Sequence, residues 1–419
     1  MLIRNFLFGI KAYTMQWKSP QNLREFQEKR LRYIVRYAYE NSKFYRKRFK
    51  ALKIDPAEIC TLADLQKIPP LTKTELRENF SHVISREFSE KTCFMETTSG
   101  STGEHMKILH DPIALDYYSG VLMRGHMAIG LKPHHKTVYI RYKPLRSNIL
   151  QKFGLYRFYH LYSDLPLDTI IAQLKEIRPF TINCYPTIMY LLAKKMSDAD
   201  LNLLSLHHIV TWSEQLTPKI RNLVENRFGC PVYDQYGAYE FHSMAFECCE
   251  KRMHINADAI IMEFVQDGEP VAPGEPGEIA VTSLWNRAMP FIRYKVGDIG
   301  VPSDHTCACG RGLPVMANLV GRIEDFLVKP SGEVVLPSQV ITLFYPYDEI
   351  DVFQVVQKKK DKIHLKIVRG KGYSEKVEEE LLHKFKEIFG EDLTIKIEYT
   401  KEIKKATGGK QRTLICEVK

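Results

Sequence analysis

The stretch METTSGSTGEHMKI, residues 95–108, decides how the rest of the chain is read. Within it, Thr97, Thr98, Ser99, Gly100, Ser101, Thr102 and Gly103 carry a hydroxyl or no side chain at all. Glycines let successive backbone N–H groups converge on an anion, and small hydroxyls add donors without bulk. A flexible linker has the same composition, so the loop alone leaves both readings open. It sits between the apolar runs TCFME (92–96) and MKILH (106–110), where linkers are uncommon. The G-x-x-x-x-G-K-[ST] spacing of a Walker-type loop is absent.

The surrounding chain has 419 residues, 44% hydrophobic and 26% charged, a globular composition long enough for two or more domains. No run of about 18 apolar residues predicts a membrane span. The opening MLIRNFLFGIKAY is cut by Lys11 and lacks a small-residue cleavage site, so we expect no signal peptide and a cytoplasmic protein. Nine cysteines fit a reducing compartment better than a disulfide framework. The formal charge of +10 is local. Residues 1–50 hold 13 Lys+Arg against 3 Asp+Glu, and the remaining 369 residues balance at 47 each. That balance argues against a nucleic-acid partner. Leu23, Leu31, Ile34, Val35 and Ala38 space an apolar stripe through the basic segment. It reads as a solvated basic helix packed on the domain, with contact to anionic lipid or an acidic partner as the minor alternative.

Residues 1–90 read as helices and turns, broken at Pro69-Pro70. From about 91 to 320, the apolar runs TVYIRY, FTINCYP, HHIVTWS and CPVYDQY alternate with helical patterns, which predicts α/β layering. TPKIRNLVENRFG predicts a helix capped by Thr217 and stopped at Gly229. After Gly321 the texture changes. Residues 352–356 and 363–368 predict a hairpin joined by QKKKDK. Val377, Leu381, Leu382, Phe385 and Ile388 form one helix face between Ser374 and Gly390, and LTIKIEY alternates as a strand. The expectation is a large layered α/β domain over 1–322 and a small α+β domain over 323–419.

YDQYGAYE (233–240), RYKVGDIG (293–300), GRIEDF (321–326) and KKATGGKQR (404–412) follow the loop in that order. Together with TTSGSTG they resemble the adenylate-forming superfamily of acyl- and aryl-CoA synthetases. FYRKRF (44–49) with TLADLQKIPPLTKTELREN (61–79) is similar to its compact phenylacetate–CoA ligase family, including capsule-biosynthesis relatives. The resemblance covers nearly the whole chain. Each motif alone is weak, and five in order are specific.

The resemblance implies that a carboxylate attacks the α-phosphate of ATP and that coenzyme A then displaces AMP. Thr98, Ser99, Gly100, Ser101, Thr102 and Gly103 would clamp the β- and γ-phosphates, and Glu240 would hold Mg²⁺. Asp298 would accept from the ribose hydroxyls, and Tyr236 would stack on adenine. Ser213, Glu214, Asp234, Gly237 and Tyr239 complete the implied nucleotide set. Lys410, after Gly408-Gly409, would be the catalytic cation, because an ammonium suits developing phosphate charge. Arg322 is implied as a catalytic partner, and Asp325 as the hinge about which the small domain turns. The sequence departs from the family at Tyr239, where Thr or Ser is usual, and at Ser213, where Gly is common.

Cys248, His254, Cys307 and Cys309 match the donor set of a structural Zn²⁺ tetrahedron, with Cys249 an alternative to Cys248. The C-x-C spacing is tighter than the usual C-x-x-C, and some members of the family resemble this chain here. No G-x-S-x-G supports a hydrolase triad. The leading expectation is an AMP-forming carboxylate–CoA ligase using ATP, Mg²⁺ and coenzyme A. Transfer to a sugar, lipid-linked or cofactor acceptor and a catalytically silent zinc-stabilised homologue stay open, as does a homodimer.

Overall fold

The computed structural model describes residues 2–97, 106–142, 149–322, 326–335, 337–344, 346–403 and 412–418. It divides into two compact units. One comprises Met1–Val296 with Gly300–Asn318, the other Gly297–Ile299 with Leu319–Lys419.

The first unit opens with helices α1 (Leu2–Met15), α2 (Pro20–Asn41), α3 (Lys43–Leu52), α4 (Lys73–Glu78) and α5 (Phe80–Val83). A separate hairpin, β1 (Phe94–Thr97) and β2 (Lys107–His110), flanks the glycine-rich loop and leads into α6 (Pro112–Ala128). Alternation follows: β3 (Lys136–Arg141), β4 (Arg157–Tyr162), α7 (Leu167–Ile177), β5 (Thr181–Cys184), α8 (Pro186–Lys195), α9 (Asp198–Asn202), β6 (His208–Trp212), α10 (Pro218–Phe228) and β7 (Val232–Ala238). Then come strands: β8 (His242–Glu247), β9 (Met253–Ile255), β10 (Ile260–Gln266), β11 (Glu269–Pro270), β12 (Gly277–Ser283), β13 (Tyr294–Pro302) and β14 (Val315–Arg322). β3 to β14 join in one twelve-stranded sheet, ordered β11-β10-β12-β13-β14-β9-β8-β7-β6-β5-β3-β4.

The parallel half, β4-β3-β5-β6-β7, contains the four apolar runs expected as strands. Val138, Ile140, Ile182, Ile209 and Val232 are buried in one core with Ile170 and Leu174 of α7, Ile188 and Leu192 of α8, and Val224 of α10. Covering helices explain why these strands read as nearly continuous hydrophobic runs. Thr217 Oγ1 accepts from Ile220 N–H at 3.3 Å, and Gly229 ends α10 at φ +63°.

In α2 the predicted stripe is buried, while Arg24 and Arg36 lie outward and pair with Glu28 and Glu40 one turn on. α1 is apolar on two faces. Its inner face packs on α6, with Phe8 edge-on to Tyr117 and Trp285 and Ala12 and Met15 buried. A Cβ on Gly120 would come within 2.9 Å of the Phe8 carbonyl, so the close approach needs glycine. Its outer face exposes Phe6, Leu7, Ile10 and Tyr13, with Trp17 just beyond. Below α1, buried Arg124 donates to both Asp258 oxygens (2.8 and 2.9 Å), Asn256 Oδ1 and the Ala12 carbonyl. Arg293, also buried, donates to Glu263 and to the Gln66, Ile68 and Gly268 carbonyls, tying the helical segment to the sheet.

The second unit contains the short hairpin β15 (Leu327–Val328) and β16 (Val334–Val335), then α11 (Pro337–Ile341), β17 (Ile350–Lys359), β18 (Lys362–Arg369), α12 (Glu375–Phe389), β19 (Thr394–Tyr399) and β20 (Leu414–Cys416). Its sheet runs β19-β18-β17-β20, with the expected antiparallel hairpin in the middle. Leu381 and Phe385 are buried against Val355, Leu365 and Ile367, with Val377 and Ile388 at the margin. Phe389, rather than the half-buried Leu382, completes the helix face. No helix among the described residues is long and apolar enough to cross a membrane.

Candidate active site

In open parallel sheets, ligands bind beyond the carboxyl ends of the strands. The first unit brings much of the predicted nucleotide set to that edge. Ser213 and Glu214 follow β6, and Asp234, Tyr236 and Gly237 lie on β7. Tyr239 and Glu240 occupy the turn from β7 into β8. That turn is fixed by Phe241 N–H donating to the Ala238 carbonyl (3.1 Å), by His242 at φ +57°, and by Phe241 packed on Phe291 and Tyr294. A Cβ on Gly237 would lie 2.1 Å from the His242 carbonyl oxygen, so the β-bulge there excludes any other residue. Glu240 is buried, and Tyr294 hydroxyl donates to its Oε1 at 3.1 Å. The Tyr239 carbonyl accepts from His110 Nε2 at 3.0 Å, anchoring the turn to β2.

Other members of the predicted set have structural work. Glu214 accepts from Thr187 N–H at 3.1 Å and so caps α8. Ser213 sits at φ +70°, the left-handed region, where the glycine expected from the resemblance would be unstrained and a serine is not. Tyr236 is buried within β7.

Asp234 accepts from Thr211 Oγ1 at 2.7 Å, while its own N–H donates to Glu247, the partner of Arg221. Burial, and then the Glu247 charge, push its carboxyl from the usual 3.8 up to about 7. Between pH 4 and 7 the folded chain retains a proton that the unfolded chain has lost. Stability from this group is therefore present in acid and is lost as pH rises through that window. Asp234→Asn is expected to raise Tm by a few degrees at pH 8, with the gain shrinking to near zero at pH 4. Equal gains at both values, in thermal melts, would contradict this.

In the second unit, Arg322 Nε lies 3.4 Å from Asp298 Oδ1, so the carboxylate expected at the ribose faces a cation. The glycine-rich loop Thr98–Gly103, Asp325 and Lys410 lie outside the described residues.

A separate cluster gathers in the first unit where β8 and β9 meet the segment before β14. Donor atoms of Cys248, His254, Cys307 and Cys309 all lie within 4.8 Å of one another. Thiolates on a tetrahedral Zn²⁺ with bonds of about 2.3 Å stand about 3.8 Å apart. Cys248 Sγ and Cys307 Sγ are 3.7 Å apart, and Cys309 Sγ is 3.3 Å from His254 Nε2. His254 Nδ1 lies 3.0 Å from the Leu313 carbonyl, which only an N–H can satisfy, leaving Nε2 as the ligand atom. Cys249 is exposed and directed to Glu250, which removes it as the alternative to Cys248.

Sequence reasoning missed Glu96, His110, Arg141, Trp212 and His242, which gather around the same strand ends. Burial pushes the Glu96 carboxyl up, but His110, His242 and Arg141 outweigh it and hold it below its ordinary value. His242 is lowered to about 4, first by burial and then by His110. Their only signal in the sequence was position: Glu96 directly precedes the glycine-rich loop, and His242 follows Glu240 by two.

The fold is that of the adenylate-forming CoA ligases. A crystal structure of 2-hydroxyisobutyryl-CoA ligase in the postadenylation state superposes with a TM-score of 0.80, covering 96% of this chain and 91% of that one at 18% identity. In sequence, the chain is related to phenylacetate-coenzyme A ligases and to CapK. It is 28% identical to phenylacetate-coenzyme A ligase of Thermus thermophilus, over 86% of this chain and 85% of that protein. It is 26% identical to Protein CapK of Staphylococcus aureus, over 100% and 96% respectively. Residues 327–417 match the family model of the CapK C-terminal domain.

Proposed function

We propose that the chain is an ATP-dependent, AMP-forming ligase that activates a carboxylic acid as its acyl-adenylate and passes the acyl group to coenzyme A. The observation that carries this is the relationship to phenylacetate-coenzyme A ligases along most of the chain. It is joined by the placement of Ser213–Glu214 and Asp234–Glu240 at the carboxyl ends of β6 and β7. A carboxylate oxygen of the acid attacks the α-phosphorus, and the bond to pyrophosphate breaks. The thiol sulfur then attacks the acyl carbon, the bond to AMP breaks, and the thiol proton leaves.

Both steps place negative charge on phosphate oxygens, so fixed donors and cations near them are worth most. The loop Thr98–Gly103 is proposed to donate its N–H and hydroxyl groups to the β- and γ-phosphates. Lys410 and Arg322 are the proposed cations, and Asp298 and Tyr236 the ribose and adenine contacts. Glu240, a buried carboxylate, suits Mg²⁺, which would spread phosphate charge. The thiolate and imidazole geometry of Cys248, His254, Cys307 and Cys309 supports a structural Zn²⁺ remote from the reacting groups. Nine free thiols support a reducing, cytoplasmic setting.

Product analysis tests the acceptor. With acid, ATP and coenzyme A, equal amounts of AMP and acyl-CoA are expected, and formation of ADP would sink the proposal. An ester or amide formed on an added hydroxyl or amine, with coenzyme A inert, would instead favour the second reading. The full-length relation to CapK keeps that reading in play.

The basic N-terminus is proposed to meet an anionic lipid surface. Phe6, Ile10 and Tyr13 fall at helical spacing along one face of α1, with Trp17 just beyond its end, and the four are 68%, 47%, 40% and 47% exposed. A second copy of the chain would bring like charge against like charge over residues 1–50, which disfavours self-association there. Sedimentation with phosphatidylglycerol vesicles is expected, weakened at least tenfold by Phe6→Glu with Ile10→Glu and by high salt. No binding, or a dimer abolished by the same pair of substitutions, would refute the lipid assignment.

A further inference from the structure

Among the described residues, four buried polar atoms near the carboxyl edge of the parallel sheet make no hydrogen bond: Glu96 Oε2, Arg141 Nε, Trp212 Nε1 and His242 Nε2. Such groups cost free energy unless something pairs them. They share one neighbourhood. Tyr139, Asn183 and Val210 are aligned across β3, β5 and β6, so Arg141, Tyr185 and Trp212, each two residues on, form the next row on the same face. The Arg141 guanidinium lies 5.2 Å over the Trp212 ring, and Tyr185 is 4.9 Å from that ring. Glu96 Oε2 is 3.5 Å from both His110 Nε2 and His242 Nε2. β7 lies between β6 and β8, with Gln235 aligned to Trp212 and Ala238 to His242, so the two groups flank one strand, and the Arg141 charge acts on Glu96 and His242.

A divalent cation between Glu96, His110 and His242 is the first reading to weigh, since their donor atoms lie within 4.8 Å of one another. His110 decides against it. Its Nε2 must carry a proton to satisfy the Tyr239 carbonyl, and its Nδ1 faces the Asn286 amide at 3.4 Å. Only two ligand atoms would remain. An aryl or alkyl group would pair none of the four polar atoms.

Among the described residues the wall carries one cation, Arg141, and one anion, Glu96, so these give it no excess charge to match a second carboxylate or an ammonium. It offers donors at Arg141 and Trp212 and an acceptor at Glu96. Hydroxyls both donate and accept, and so suit such a wall. β1 leads in sequence into the proposed phosphate loop, and His242 closes the turn bearing Glu240, so the wall stands beside the turn proposed to hold Mg²⁺.

We propose that this wall binds the tail of the activated acid and that the acid is hydroxylated, with Arg141 and Trp212 donating to its hydroxyl oxygens and Glu96 accepting. The proposal rests on the adenylation reading.

ATP–pyrophosphate exchange with matched pairs, 3-hydroxybutyrate against butyrate and glycerate against propionate, together with phenylacetate, tests it. The hydroxy acids are expected to exceed their deoxy counterparts in kcat/KM by at least about tenfold. Trp212→Phe, which retains a ring and removes only the N–H, and Arg141→Met should raise KM for the hydroxy acid about tenfold or more. KM for ATP should be unchanged, and the preference over the deoxy acid should narrow. Exchange with butyrate, propionate or phenylacetate alone would overturn this assignment and leave adenylation standing, as would variants that leave the preference intact. Exchange with no acid would overturn both.

Discussion

Glu240→Ala is expected to lower ATP–pyrophosphate exchange by on the order of 10²–10³ or more, while Tm moves by only a few degrees. The turn that presents this carboxylate is held by backbone geometry, by Phe241 in its aromatic pocket and by the His110 contact to the Tyr239 carbonyl. Removing the Glu240 side chain disturbs none of these. It removes one acceptor of the Tyr294 hydroxyl, a modest structural cost. Glu240→Gln retains shape and hydrogen bonding but not charge, so a loss of similar size in both variants would assign the role to cation binding. Full exchange in Glu240→Ala would remove this residue from the proposed machinery. Lys410→Ala is expected to show a comparable loss.

The second large effect concerns the cysteine–histidine cluster. Purified protein is expected to contain about one zinc per chain, and Cys307→Ser or prolonged chelation to lower Tm by ten degrees or more. The cluster joins the β8–β9 hairpin to the segment before β14, and Leu313 orients its imidazole. Structural zinc binding is folding free energy, of about 10–16 kcal/mol in isolated fingers and less where a large core already holds the chain. Cys249→Ser is the control and should change neither metal content nor Tm, because Cys249 is exposed. Metal-free protein that melts at the same temperature as the untreated sample would contradict the assignment.

The parallel half of the large sheet could be read from the sequence because its strands are covered on both faces and appear as short apolar runs. The same holds for α10, whose capping threonine and terminal glycine are local signals, and for the hairpin and helix of the second unit. The antiparallel half, β8 to β14, could not be read in this way. Its strands are held by long-range partners such as Arg293, which gathers carbonyls from residues 66, 68 and 268. The outward face of α1 was hidden too, since an apolar stripe carries no mark of which side the protein covers.

At the site, motifs pointed to the turn carrying Glu240 and to the cysteines that the fold gathers with His254, but not to what other members of the set do. Glu214 caps a helix, and Ser213 adopts a left-handed backbone. Arg141, Tyr185 and Trp212 come together only through strand register, which no spacing along the chain encodes.

Incubation of the purified protein with ATP, Mg²⁺, labelled pyrophosphate and a panel of hydroxylated, aliphatic and aromatic acids tests the central claim most directly. Acid-dependent return of label into ATP, lost in Glu240→Ala and Lys410→Ala, is the predicted result. No exchange with any acid in the panel, from protein that is folded and metal-loaded, would contradict adenylation and favour a silent homologue.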